Sequence, residues 1–405
     1  MGLRSAPRVF VFLQHGLSLE AWRDRRDPER STNTESPYGY AAAMHVTEMS
    51  WSKDACERHI VRVVRRALRR MLGFDLLHAW HNRRALTSTE VVWTHTERES
   101  LAALMVLRLL RAKARVIAQS VWLWDEWPRR SWLMRRFHLS LLKGAAVEVT
   151  LSEANKARAR QIRHTENVYC VPFGAGVNEA LAEQILAEPR ASSEFYVLAV
   201  GSDRHRDWAT LHEAARALSG VRFRVATLDS AYPKDGAPSN VDVSSARTLE
   251  ECYRLYAGAA LVILPLTPNL HASGCTVALE AQRFGKPLVT TDVGGLSLYL
   301  GDRGVYLYNA CDPESLTRTI AVALDDQRSG RYGAETDREF LASKGLTAED
   351  YAARFFLLTR WLLERDPRPE DIELPVPVRS ILSRTATSDH PTQPYRTSSP
   401  SGADC

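Results

Sequence analysis

The chain has 405 residues, long for a single hydrophobic core, and two domains are the natural reading. Its 45% hydrophobic and 25% charged residues are those of a globular protein, and no run approaches the roughly 20 apolar residues of a membrane span. A net charge of +5 suits an anionic surface or substrate without demanding nucleic acid.

The N-terminal stretch MGLRSAPRVFVFLQHG carries an apolar run from Val9 to Leu13, too short for a signal peptide and read as a first β-strand. Ala6 breaks the myristoylation pattern. The stretches EVVWTH, RVIAQSV, AVEVTLS and NVYCVPF follow as further strands, each next to a periodic helical segment. Beyond a polar stretch at Ala187 to Ser193 the habit repeats with FYVLAVG, RFRVATL, LVILPL, PLVTTD and VYLY. Strands interleaved with helices predict parallel sheets built from βαβ units. Tyr351 to Leu363 reads as a closing helix, and from Pro367 the chain turns rich in Pro, Ser, Thr and Asp and reads as disordered.

The six cysteines are scattered, with no CxxC pair and no histidine at metal spacing. That pattern predicts a reducing cytoplasm and no structural metal. Peripheral attachment to the inner face of the cell membrane is a further option, raised by two basic stretches. In ERHIVRVVRRALRRML, Ile60, Val63, Val64, Ala67, Leu68 and Met71 fall at helical spacing with arginines opposite. VWLWDEWPRRSWLMRRF mixes Trp122, Trp124, Trp127 and Trp132 with four arginines. The first reads either as a helix packed on its domain with a solvated charged face or as a membrane-surface helix. The second fits a membrane surface or an acceptor cleft equally.

In open parallel sheets, ligands bind beyond the carboxyl ends of the strands, so the loops there are the ones to read. His271-Ala272-Ser273-Gly274 follows LVILPL and precedes the helix TVALEAQRF. Free amides and the positive dipole end of such a helix favour a phosphate, and small residues let it approach the backbone. Glu280 lies two turns in, at reach of a sugar hydroxyl, and Gly285-Lys286-Pro287 stops the helix. An ordinary βαβ unit with a surface glutamate is the competing reading.

These residues resemble the donor-binding half of GT-B-fold glycosyltransferases of family 4. The match rests on Leu279-Glu280-Ala281, Gly285-Lys286-Pro287 and Asp292-Val293-Gly294-Gly295. The family's usual motif pairs two glutamates eight positions apart, and the first falls here on Ala272. The resemblance implies that Glu280 binds the nucleotide ribose. The vacant sugar-facing role passes to His271 or to the backbone amides around Ser273, Gly274 and Cys275, and Thr276 joins them in the implied donor site. VLAVGSDRHRDW resembles the family's strand, glycine and basic residue that grips the diphosphate, which puts Gly201, Arg206 and Arg204 at the donor. TLEECYRLYAGAALVILPL resembles part of the base pocket, with Arg247 and Thr248 at its loop.

In the N-terminal half, VVWTHTERES resembles the passage that carries a cleft histidine, here His95, and Gly16 follows the first strand. Gln119-Ser120 stands where a further cleft histidine is usual. The implied architecture is α/β GT-B: two Rossmann-like domains facing across a cleft, with a C-terminal helix closing back on the first. The expected ranges are 1–187 for acceptor binding, 188–345 for donor binding, 346–366 for the closing helix and 367–405 for a disordered tail.

The implied activity is a hexosyltransferase-type transfer from a UDP- or GDP-sugar to an envelope lipid, polysaccharide or natural-product acceptor. It proceeds with retention, with no metal and no cofactor beyond the donor. Arg206, His95 and His271 are the candidate catalytic residues. The competing activities are a sugar-nucleotide epimerase of the same fold and a non-catalytic nucleotide-sugar-binding subunit.

Overall fold

The computed structural model describes residues 5–24, 33–188, 195–228, 232–233, 236–246, 248–331 and 339–383. The first sheet comprises β1 (Arg8–Phe12), β2 (Glu48–Trp51), β3 (Val91–Thr94), β4 (Arg115–Gln119), β5 (Val147–Thr150) and β6 (Val168–Cys170), ordered β2-β1-β3-β4-β5-β6. The second comprises β7 (Tyr196–Val200), β8 (Arg222–Ala226), β9 (Val241–Ser244), β10 (Leu261–Leu264), β11 (Leu288–Thr290) and β12 (Val305–Leu307), ordered β12-β11-β10-β7-β8-β9. Every pairing between these strands is parallel.

Central strands such as VVWT of β3 and LVIL of β10 are buried on both faces, because helices cover a parallel sheet on each side. The two strands that the sequence did not reveal, EMSW and VDVS, lie at sheet edges, where half the residues face water and the apolar signal fades.

The division between the domains falls earlier than 187. Helix Glu179–Ala187 packs Ala182 and Ile185 against Tyr196, Tyr253 and Tyr256, inside the core of the second domain. Asn178 N–H donates to Tyr253 Oη at 2.9 Å, so the second domain begins with this helix. The chain crosses between the domains where Ala175 bridges Thr347. A Cβ on Gly174 would come within 1.8 Å of the Thr347 carbonyl oxygen, so only glycine fits this crossing.

Helix Ala348–Leu362 returns to the first domain. Its start is capped by Thr347, and Tyr351, Phe355, Phe356 and Leu358 enter the core around Val9, Trp93 and Ile117. Trp93 Nε1 donates to Thr359 Oγ1 at 2.8 Å.

The expectation of a disordered tail from 367 is corrected up to residue 383. Arg354, fully buried, donates to the carbonyls of Leu374 at 2.9 Å and Val376 at 3.0 Å. Asp350 Oδ1 accepts from the amides of Val378 and Arg379, and Ile372 and Leu382 are buried. A polar composition masked two apolar anchors and a strap of backbone hydrogen bonds. Residues 384–405 lie outside the described part.

Candidate functional site

The second sheet has the doubly wound order in which the chain's direction of travel reverses between β7 and β10. Loops at such a switch point diverge and leave room for a ligand. Here they are Gly201–Asp207 and Pro265–Gly274, stitched together by Thr267 N–H to His205 O at 2.9 Å and Asp207 N–H to Pro265 O at 2.9 Å.

Arg206 folds back over this crossing. Its Nε donates to Val200 O at 3.1 Å and Nη1 to Ser273 Oγ at 3.1 Å. Gly201 sits at φ +123°, and a Cβ there would lie 2.3 Å from Nη2, so glycine gives the guanidinium its berth. The residue is only 8% exposed, and among the described residues no carboxylate comes within ion-pair distance of it. Burial pulls its pKa down. A buried cation held only by neutral acceptors is costly and leaves donor capacity for an anion.

Ser273 and Gly274 open helix Cys275–Arg283. Ser273 N–H donates to Asn269 Oδ1 at 3.2 Å, Cys275 N–H to Ala272 O at 3.1 Å, and Gly274 adopts φ +81° against the Leu264 side chain. Cys275 is buried and its thiol is pushed up to about 11 by burial, so it is no nucleophile near neutrality. Thr276 is partly buried in the first turn.

Ala272 is 2% exposed at φ +53° with its methyl in the apolar core, a place that cannot host a charged side chain.

Glu280, two turns along, is 7% exposed and accepts a hydrogen bond from Tyr256 Oη at 2.8 Å. Burial raises its carboxyl pKa to about 7. Thr248 caps the helix Leu249–Gly258 that carries Tyr256. Arg247 lies outside the described residues.

The loop before helix Cys275–Arg283 closes onto the first domain. His271, 3% exposed, holds Asp125 Oδ2 at 2.9 Å through Nδ1 and Asp203 Oδ2 at 3.2 Å through Nε2. Burial alone would lower its pKa, but the two carboxylates outweigh that and raise it. Burial likewise opposes ionisation of Asp203, yet hydrogen bonds from His205 and His271 hold it far below the carboxylate range. Leu270 N–H donates to Asp125 Oδ1 at 2.7 Å, Ser152 Oγ donates to Leu270 O, and Arg204 Nη1 pairs with Glu126 Oε1 at 3.0 Å.

His271 and Arg204, expected at the donor, thus clamp the domains shut. Asp125 and Asp203, which pattern reasoning missed, complete the clamp. Their signals were an Asp-Glu pair among tryptophans and an aspartate in Gly-Ser-Asp-Arg. Asp125, His205 and His271 also bring one ligand-capable atom each within 4.8 Å of one another, a grouping that linear spacing does not reveal.

In the first domain, His95 ends β3 beneath Tyr38, with ring centroids 3.3 Å apart, and its Nδ1 meets Tyr40 Oη at 3.1 Å. Burial drives its pKa down to about 3, so it stays neutral. It borders a trough lined by Gln14, Tyr38, Arg98, Glu99 and Trp122. Trp122 lies 6.1 Å from the His271 ring and links this trough to the loop Pro265–Gly274 of the second domain. Glu99, buried at the trough wall, is raised by burial to about 7. Gly16 sits in the loop after β1, its amide donating to Asp54 Oδ1 at 2.9 Å.

Of the four tryptophans, Trp124 and Trp127 are core, Trp122 faces the seam between the domains and Trp132 is 69% exposed.

With this geometry in view, the comparisons with known proteins are informative. Residues 179–326 match the model of the family described as "Glycosyl transferases group 1". Among curated protein sequences none matches the chain. Solved structures match it over most of their length.

Sucrose-phosphate synthase from Thermosynechococcus elongatus aligns with a TM-score of 0.65 at 16% identity, over 89% of this chain and 100% of that one. HepE from Anabaena, in complex with UDP and glucose, aligns at 0.59 and 12% identity over 86% and 98%. A glycosyltransferase from Rickettsia africae aligns at 0.56 and 10% over 89% and 100%.

The two parallel sheets and the returning helix are therefore a GT-B fold. The second domain is of the glycosyl transferases group 1 kind, and the class is that of a glycosyltransferase enzyme.

Proposed function

We propose that the protein transfers a sugar from a nucleoside-diphosphate sugar to a glycan, lipid-linked or small-molecule acceptor, with retention of configuration and without a metal at the diphosphate. The observation that carries this is Arg206: a buried guanidinium with no carboxylate at ion-pair distance among the described residues, set against Ser273 at the start of the helix that bears Glu280.

The transition state of such a transfer is oxocarbenium-like, and negative charge grows on the leaving diphosphate. Preorganised donors aimed at that charge contribute most to the rate. Arg206 and the amides around Gly274 are suited to the phosphates, and a guanidinium forks onto two phosphate oxygens. Glu280 accepts from a ribose hydroxyl, exchanging or sharing its bond from Tyr256.

The His271 clamp excludes water once donor and acceptor are in place, which favours transfer over hydrolysis. Donor entry then requires the clamp to open, because Arg206, Ser273 and Glu280 are all nearly buried in the closed form. The acceptor would approach through the trough beside His95 and Glu99. That HepE is solved with UDP and with UDP-glucose favours a UDP-sugar here.

The experiment is incubation of the purified protein with UDP- and GDP-sugars, following free nucleoside diphosphate and sugar products. Release of UDP or GDP with transfer or slow hydrolysis supports the proposal. Formation of a 2-epimer points instead to an epimerase, and binding without turnover to a non-catalytic subunit.

A further inference from the structure

Helix His59–Leu72 departs from the rule that a helix turns its apolar side inward. At about 100° per residue, Ile60, Val63, Val64, Ala67 and Met71 share an arc of about 100°. That arc faces water: Ile60 is 76% exposed, Met71 60%, Val63 51% and Val64 46%, and no residue of the helix is buried.

The attachment is elsewhere. Leu68 and Leu72 turn to the body only in part, and Arg65 anchors the helix through Asp75 at 2.6 Å and Glu57 at 2.6 Å. The alternative of a packed helix with a solvated charged face is thereby excluded.

Arg66 and Arg70 border the apolar stripe on one side, Arg58, Arg62 and Arg69 lie further round, and the helix contains no acid. Its C-terminal end abuts helix Trp132–Leu142, where His138 Nε2 meets Leu72 O at 2.9 Å. That second helix begins with Trp132 and Leu133, 69% and 62% exposed, followed by Arg135 and Arg136. Apolar side chains that enter an interface, with guanidinium groups beside them at headgroup level, are what a surface-lying helix needs. A stripe of this composition attracts an anionic bilayer and gives no complement to a second copy of itself, which is equally basic.

We infer that this helix docks the protein on an anionic lipid bilayer and so presents the acceptor trough to the headgroup layer. Continuity supports the second half of the statement. Arg69, on the helix, lines a pocket with Gln14, His78, Arg98 and Glu99, and the trough beside His95 shares Gln14, Arg98 and Glu99 with it. The docking helix thus borders a pocket that shares a wall with the trough on which Trp122 also lies. The acceptor class this fits is a bilayer-borne molecule with a polar head. That part rests on the proposed function, whereas docking itself does not.

The test is co-sedimentation of the full chain with phosphatidylglycerol-containing vesicles and with pure phosphatidylcholine vesicles. Donor hydrolysis in solution is measured in parallel. We expect binding to the anionic vesicles, loss at high salt, and little binding to the neutral ones. Arg66→Gln and Arg70→Gln should each weaken binding about fivefold. Ile60→Ser with Met71→Ser should abolish it, leaving hydrolysis of the donor unchanged because these side chains touch nothing at the site.

Absence of binding to either vesicle overturns the inference, as does equal binding to both. So does concentration-dependent self-association abolished by the same serine substitutions, which would make the stripe a protein interface. Loss of donor hydrolysis in the wild type, with vesicle binding intact, would instead count against the transferase reading alone.

Discussion

Replacing Arg206 by methionine separates binding chemistry from folding. The substitution keeps the side chain's approximate volume and removes a charge that is 8% exposed. Two hydrogen bonds are lost, to Val200 O and Ser273 Oγ, and bonds to a charged donor are worth about 1.5–3 kcal/mol each. Against this, the cost of burying a cation without a carboxylate disappears, which is several kcal/mol in a water-poor site.

The terms oppose each other, so unfolding free energy should shift by no more than about 1–2 kcal/mol. No such compensation exists for a bound diphosphate, because a neutral thioether donates nothing to it. UDP affinity should fall by about 2–3 kcal/mol, or roughly 30- to 150-fold, and turnover by about 10² or more. Titration calorimetry with UDP and urea unfolding of the same preparations measure both. Undiminished UDP affinity in a folded variant would refute the reasoning.

Three further outcomes follow from the same geometry. Glu280→Gln should weaken UDP binding about tenfold through the ribose. Because burial raises the folded pKa of Glu280 from 4.5 to about 7, wild-type stability falls as pH rises across that window. The Gln variant should lose up to about 3 kcal/mol of that fall, read by urea unfolding at about pH 5 and about pH 8. His271→Ala removes the Asp125 contact across the seam and, within the second domain, the Asp203 contact that holds the ring, so small-angle scattering should report a larger radius of gyration with the thermal midpoint little changed. Phe355→Ala, at a fully buried site where the returning helix meets Trp93, should cost about 3–5 kcal/mol by chemical denaturation.

The sequence made the alternating strands and helices legible wherever both faces of a strand are buried. LVIL and VVWT are unmistakable for that reason, while the half-wet edge strands EMSW and VDVS carry no such signal. The boundary near 187 was misplaced because the crossing at Gly174 to Asn178 is made mostly of small and apolar residues and carries no linker signal, whereas the polar stretch at Ala187 to Ser193 lies within the second domain.

Arg206 could be singled out from its position after strand and glycine, though not its burial or its missing carboxylate. His271 was legible as a loop residue beside the helix start. Its partners lie far off in sequence: Asp203, 68 residues away, is reached through the neighbouring strands β7 and β10, and Asp125, 146 residues away, only where the two domains meet. The outward turn of the stripe from Ile60 to Met71 was illegible for a related reason: periodicity gives the face and not its direction.

The most direct test is a structure of the protein with UDP. The account predicts the diphosphate within hydrogen-bond reach of Arg206 and the amides near Gly274, with a ribose hydroxyl on Glu280. UDP seated elsewhere, with the Arg206–Ser273 and Glu280–Tyr256 bonds intact, would contradict it.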